Sequence, residues 1–251
     1  LVMGSVWAAN TTVQHAATAT APASTTTSSQ PLATAVAATA AAQQTTAKPA
    51  TGAAVHKSNP VPACAAGAVT QPQAVSLSSS QPGLIKAPQL TGTYTIYGND
   101  VSQINNQMFT CSPVTIGSNH FAASTDYVIS WNFGIRSDGS DTCTLTDVRV
   151  GLAVSQTFPA WQATANNPAV AAQWHRFITN LATHENGHAQ LDSQYAQSLL
   201  HNLQSFPAAS CDTISAAANA RSQSIVADLN RANDSYDATT NHGSTQGAIL
   251  R

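Results

Sequence analysis

Residues 184–188 read His-Glu-Asn-Gly-His. On a helix, H-E-x-x-H sets two imidazoles one turn apart on a single face with a carboxylate beside them, the arrangement by which zinc peptidases hold their metal and activate water. Glu185 is the only glutamate in the chain, and it falls beside one of only eight histidines and close to a second. Shuffling the residues would reproduce this in roughly one arrangement per thousand, so chance explains the motif poorly. The plain alternative is a helix whose histidines are simply buried and hydrogen-bonded.

A catalytic zinc needs a third protein ligand and one position left open. His175 is nine residues before His184 and points to the other side of a helix, and His201 is thirteen residues after His188, about 20 Å along the axis. His120 lies in a predicted loop with no positional argument for or against it. The expected third ligand is His242, in the glycine-punctuated stretch 236–248 that follows the last predicted helix and can fold back over the metal. Asp237 and Asp192 are the alternatives, the latter better suited to supporting a ligand or to lying solvated on the helix. Zinc on His184, His188 and His242 would lower the pKa of a water toward about 7. Glu185 would take the proton as general base and return it to the leaving amine. Tyr236 or Tyr195 would donate to the oxyanion, Tyr236 being favoured by its closeness to His242. Simple core packing is the competing role for both tyrosines.

The elements that must position these groups are legible from periodicity. Asn167-Pro168 starts a helix, and Trp174, Phe177, Leu181, His184, His188, Leu191, Tyr195 and Leu199 then recur at threes and fours, so both histidines lie on the buried stripe. A helix from 168 to 204 would be about 55 Å long, and a bend is expected near Gly187. Asp212 is expected to cap a final helix running to Tyr236. Upstream, Thr93–Tyr97 reads as a strand and Asp100 caps a helix to about Phe109. Thr125–Phe133 and Cys143–Phe158 alternate as an antiparallel pair, the second with a phase slip that suggests a bulge and a stop at Pro159. The fold class is α+β, with a small antiparallel sheet packed on the long active-site helix and a C-terminal helix.

The rest of the chain sets the context. Before residue 92 there are three lysines and no acidic residue; from 92 onward there are six arginines against ten aspartates and Glu185. Neither part offers a basic patch, which argues against nucleic acid as a partner. No apolar run is long enough to span a bilayer. Residues 1–9 read as the remnant of a signal peptide, with Val6-Trp7-Ala8 as a cleavage site. Residues 10–91, rich in Ala, Thr, Ser, Gln and Pro, read as a disordered linker, leaving 92–251 as the folded domain. Four cysteines suit an oxidising, secreted or periplasmic setting and allow three pairings. Cys143–Cys211 is preferred because it ties the start of a strand to the start of the last helix; Cys64–Cys111 would then anchor the tail.

Several runs carry a resemblance: Phe121–Thr125, Ser130–Phe133, Phe158–Trp161, Trp174–Phe177 with His184–His188, and Tyr236-Asp237 followed by Thr240–Ala248. Together they resemble a bacterial family of unknown function whose members are described as predicted secreted zinc-dependent proteases, over about residues 92–250. The cysteines at 143 and 211 also match positions associated with it. The resemblance implies a zincin-like metallopeptidase acting on a peptide or protein substrate. A zinc amidase acting on cell-wall peptides, and a non-catalytic zinc-stabilised binding domain on a flexible stalk, are the other readings.

Overall fold

The computed structural model describes residues 15–19 (backbone only), 61–78, 81–116, 119–137 and 139–251. The expected signal-peptide remnant at 1–9 lies outside the described residues, as does most of the expected linker. In chain order the elements are β1 (His15–Ala19), β2 (Gly83–Lys86), β3 (Leu90–Gly98), α1 (Val101–Cys111), β4 (Thr115–Ile116), β5 (Asn119–His120), β6 (Ser124–Ser137), β7 (Thr142–Ala163), α2 (Pro168–Gln204), β8 (Ala209–Ser210) and α3 (Ile214–Thr240), followed by a 3₁₀ turn at Ser244–Gln246.

The long β6–β7 hairpin is antiparallel, as its alternation predicts. The sheet around it is not the small antiparallel one expected. Among the described residues it has six strands, and β1, β2 and β3 each pair in parallel, β1 on β6 and both others along the far edge of β7. Alternation reports which face of a strand is buried and says nothing of its neighbour's direction, so the β3 pairing was invisible in the sequence. The phase slip is real: Asn132 faces Arg149 while Gly134 faces Thr146, so two β7 residues oppose Phe133, and Asp147 there has φ 49°. β7 does not stop at Pro159. Pairing with β6 ends at Ser124–Thr157, so beyond it β7 has only β3 beside it. A strand bonded on one side tolerates a residue without an N–H.

Residues upstream of 92, expected in the linker, are packed on the sheet where they are described. Thr70 accepts at its carbonyl from Ser155 Oγ (2.6 Å) and donates its N–H to Thr157 Oγ1 (2.8 Å). Gly92 makes the crossing possible: a Cβ there would lie 1.6 Å from Thr70 Oγ1. The bridge Cys64–Cys111 fastens this segment to α1, and Cys143–Cys211 ties β7 to the approach to α3; both are the preferred pairings.

α1 and α2 begin where their caps predict, with Asp100 Oδ1 accepting from Gln103 N (2.8 Å) and Asn167 Oδ1 from Val170 N (3.3 Å). α3 instead starts after Thr213, without a side-chain cap from Asp212, and runs one turn past Tyr236. That extra turn puts Asp237 on the helix. Two apolar clusters form the core. One packs Tyr127, Ile129, Trp131 and Phe133 of β6 against Ala196, Leu199, Leu200 and Leu203 of α2 and Leu229 of α3. The other gathers Tyr94, Ile96, Ile104 and Met108 around Phe177 and Leu181. Between them α2 buries four polar residues: His184, Glu185, His188 and Asp192.

Candidate metal centre

The buried polar band of α2 faces a matching band on α3, where Asn233, Asp237 and Thr240 follow at helical spacing and are also buried. His184 Nε2 and His188 Nε2 each lie 3.1 Å from Asp237 Oδ1. The three donor atoms fall within 4.8 Å of one another. A tetrahedral ion with bonds of about 2.0–2.1 Å separates its donors by roughly 3.3 Å, close to the spacing of the Asp237 oxygen from each imidazole nitrogen. The described residues hold no other such group.

The family model for "Bacterial protein of unknown function (DUF922)" matches residues 91–243. The chain belongs to the DUF922 family. No curated protein and no solved structure matches it. The match covers His184, Glu185, His188, Asn233, Asp237 and His242 and stops just short of Gln246.

In this DUF922 chain the far ring nitrogens are both engaged. His184 Nδ1 lies 2.9 Å from Gln246 Oε1, and His188 Nδ1 lies 2.7 Å from Asn233 Oδ1. Facing amide oxygens, both Nδ1 atoms carry hydrogens, which leaves the two Nε2 atoms as lone-pair acceptors. Three acceptors then converge on one buried point, an arrangement that could hold a cation. Burial pushes the His188 pKa down, but the Asp237 hydrogen bond, with the Glu185 charge behind it, outweighs this and holds it up at about 9. For Asp237 too, burial acts to raise the pKa, yet hydrogen bonds from His184, His188 and His242 hold it far below the carboxylate range. The donor set of two imidazoles and one carboxylate fits a divalent ion.

Glu185 is fully buried against the sheet. Its Oε2 accepts from Thr125 Oγ1 at 2.7 Å, and Gln156 Nε2 approaches Thr125 Oγ1 at 3.4 Å. Asp126, next to Thr125, is 1 % exposed, and burial, with the Glu185 charge adding to it, raises its pKa to about 7.

The expected residues sort as follows. His184, His188 and Glu185 are brought together. The acid at the cluster is Asp237, one of the alternatives. His242, the preferred third ligand, stands behind it: its Nδ1 is 3.5 Å from Asp237 Oδ2 and its side chain is 30 % exposed. Asp192 does not reach the cluster and accepts from Asn233 Nδ2 at 3.3 Å. Tyr236 stacks on His184 at 5.1 Å between centroids and meets His188 edge-on. Tyr195 is half-buried beside the first cluster. His120, expected in a loop, lies in β5, where its Nδ1 is 2.7 Å from the Ser112 carbonyl. Asn233, Gln246 and Thr125 were missed. Asn233 had a signal, since it sits one helical turn before Asp237; Gln246 and Thr125 lay in the runs that carry the family resemblance, but only the tertiary fold shows what they touch.

A groove of about 540 Å³ runs along α2 beside the centre, walled by Asn186, Gly187, Gln190, Tyr236 and Gln246. Tyr236 stands between it and the imidazoles.

Proposed function

We propose that this domain is a zinc-dependent metallopeptidase of an extracellular or periplasmic setting, in which His184, His188 and Asp237 hold the ion and Glu185 is the general base. The observation that carries this is the convergence of two imidazole lone pairs and a carboxylate oxygen on one point, with the chain's only glutamate on the adjoining helical position. A divalent ion held there supplies Lewis-acid polarisation of a carbonyl and acidifies water to near neutral pH. The chain's own residues do the rest. Glu185 accepts the proton released by the attacking water and delivers it to the leaving amine. Thr125 fixes the Glu185 carboxylate by the 2.7 Å bond. The two disulfides agree with an oxidising compartment. No helix among the described residues is long and apolar enough to cross a membrane.

One observation favours a second reading. His242 stands beside Asp237, and a fourth protein ligand would close the shell as in structural zinc sites. The experiment that separates the two is metal content and peptide hydrolysis of the purified full chain and three variants. The peptidase reading expects one divalent ion per chain, lost in Asp237→Ala and kept in His242→Ala. It expects Glu185→Gln to keep the ion and lose hydrolysis. Unchanged turnover in Glu185→Gln removes the base; loss of metal in His242→Ala with no hydrolysis by any form establishes the structural site.

A further inference from the structure

Each ligating imidazole is held from behind by a side-chain amide, and each amide is itself held by a third group. His188 Nδ1 meets Asn233 Oδ1 at 2.7 Å, and the other end of that amide, Nδ2, donates to Asp192 Oδ1 at 3.3 Å. Both residues are fully buried. Turning the Asn233 amide over would set its oxygen against a carboxylate oxygen, so Asp192 fixes which end faces His188. On the other side, His184 Nδ1 meets Gln246 Oε1 at 2.9 Å, and Gln246 Nε2 donates to the Tyr236 hydroxyl at 3.0 Å. That hydroxyl sends its own hydrogen to the backbone carbonyl of His184 at 3.3 Å. The circuit therefore closes on the residue it began from.

The Tyr236 hydroxyl is thus committed to the backbone side of His184, the side of Nδ1 and not of Nε2. Gly187 leaves the space for it: a Cβ at 187 would lie 2.1 Å from the Tyr236 oxygen. An oxyanion donor must instead aim at the reacting carbonyl, beyond the Nε2 atoms.

We propose that Tyr236 and Gln246 on one side, and Asp192 and Asn233 on the other, are positioning residues that lock His184 and His188 in the Nδ1–H tautomer and so present both Nε2 lone pairs to the metal. Tyr236 is therefore a positioning residue and not the oxyanion donor expected from its place in the sequence. The inference rests on the metal-site reading above. Partners of this kind behind metal-bound histidines typically change affinity 10–100-fold when removed.

The test uses the full chain loaded with Zn²⁺, with affinity from chelator competition and the histidine ring N–H signals from ¹⁵N NMR. Wild type is expected to show two protected ring N–H protons. Tyr236→Phe and Gln246→Ala should each weaken Zn²⁺ binding 10–100-fold and lose protection of the His184 proton alone. Asn233→Ala should do the same to His188 alone. Gln246 is half-buried outside the helices, so its variant keeps the test valid if Asn233→Ala fails to fold. Wild-type Zn²⁺ affinity and an intact His184 signal in Tyr236→Phe overturn the proposal, while metal binding itself stands. A wild-type chain that takes up no Zn²⁺ overturns the metal-site reading and this inference with it.

Discussion

Gly187→Ala is the sharpest perturbation of the helix that carries the proposed metal ligands. Helix propensity alone says it should stabilise α2 by about 1 kcal/mol, since glycine is a poor interior residue. The structure says the reverse. The new methyl would fall 2.1 Å from Tyr236 Oη, 2.4 Å from Cζ and 2.8 Å from Cε1, so the ring must leave. Overpacking of this kind costs about 1–3 kcal/mol. Moving the ring also gives up the hydroxyl's bonds to the His184 carbonyl and from Gln246, at about 1 kcal/mol each. Set against the propensity gain, the expected outcome is a net loss of roughly 3 kcal/mol. Urea unfolding of the metal-free chain at pH 7 measures it as a lower midpoint at unchanged slope. A Gly187→Ala chain as stable as wild type, or more so, refutes the close-approach argument and returns Gly187 to the role of an ordinary helix-weakening glycine.

Two further outcomes follow from charge and covalent links. The folded chain holds the Asp126 proton up to about pH 7, whereas an unfolded aspartate releases it near 3.9. Between those values the folded state binds more protons, so this group's contribution to stability is full below about pH 4 and is lost as pH rises through about 7. Asp126→Asn should therefore be the more stable form at pH 8 by roughly 2–4 kcal/mol, with the gap closing by pH 4; a gap independent of pH, in urea unfolding at both values, contradicts the assignment. Replacing both Cys143 and Cys211 with serine opens a bridge of sequence separation 68 and should lower unfolding stability by about 4 kcal/mol; a loss under about 1 kcal/mol would mean the link adds little to what β8 and α3 already hold.

Much of this was legible in the sequence because helix caps and apolar spacing act locally. Asn167, Pro168 and Asp100 start their helices as read, and the alternation in β6 and β7 gives their hairpin. What failed is what depends on distant neighbours. β3 runs parallel to β7 because the intervening β6 runs back antiparallel to β7, a relation that leaves no mark on β3 itself. Pro159 broke a rule that holds only for strands bonded on both edges. Upstream of residue 92 the composition is poor in large apolar side chains, so it reads as linker. The described part of it is held by a disulfide and backbone bonds such as Thr70 to Thr157, which composition does not register. At the centre, the expected end of α3 at Tyr236 was one turn short. That turn decides which acid meets the imidazoles, and a cap at Asn241 with φ 48° fixes it.

The stripe of α2 was read as one continuous apolar face with two histidines in it. The structure divides it. Phe177 and Leu181 serve one cluster, Ala196 through Leu203 the other, and the turns between bury His184, Glu185, His188 and Asp192. Leu191 and Tyr195, which the same periodicity would bury, are only half-buried. Packing alone does not favour that exchange, since an unpaired buried charge is costly and a leucine in its place is not. Asp192 keeps a buried oxygen with no partner, and burial lifts its pKa to about 8. α3 answers with Asn233, Asp237 and Thr240, and β6 with Thr125 and Asp126. Three separate elements thus place polar groups where each would be more stable apolar. The groups share one geometric consequence: a buried point with two nitrogen lone pairs and a carboxylate oxygen around it. A fold that needed only stability would have joined its two clusters into one; this chain keeps them apart and puts in the gap a His-His-Asp group that could hold a metal ion.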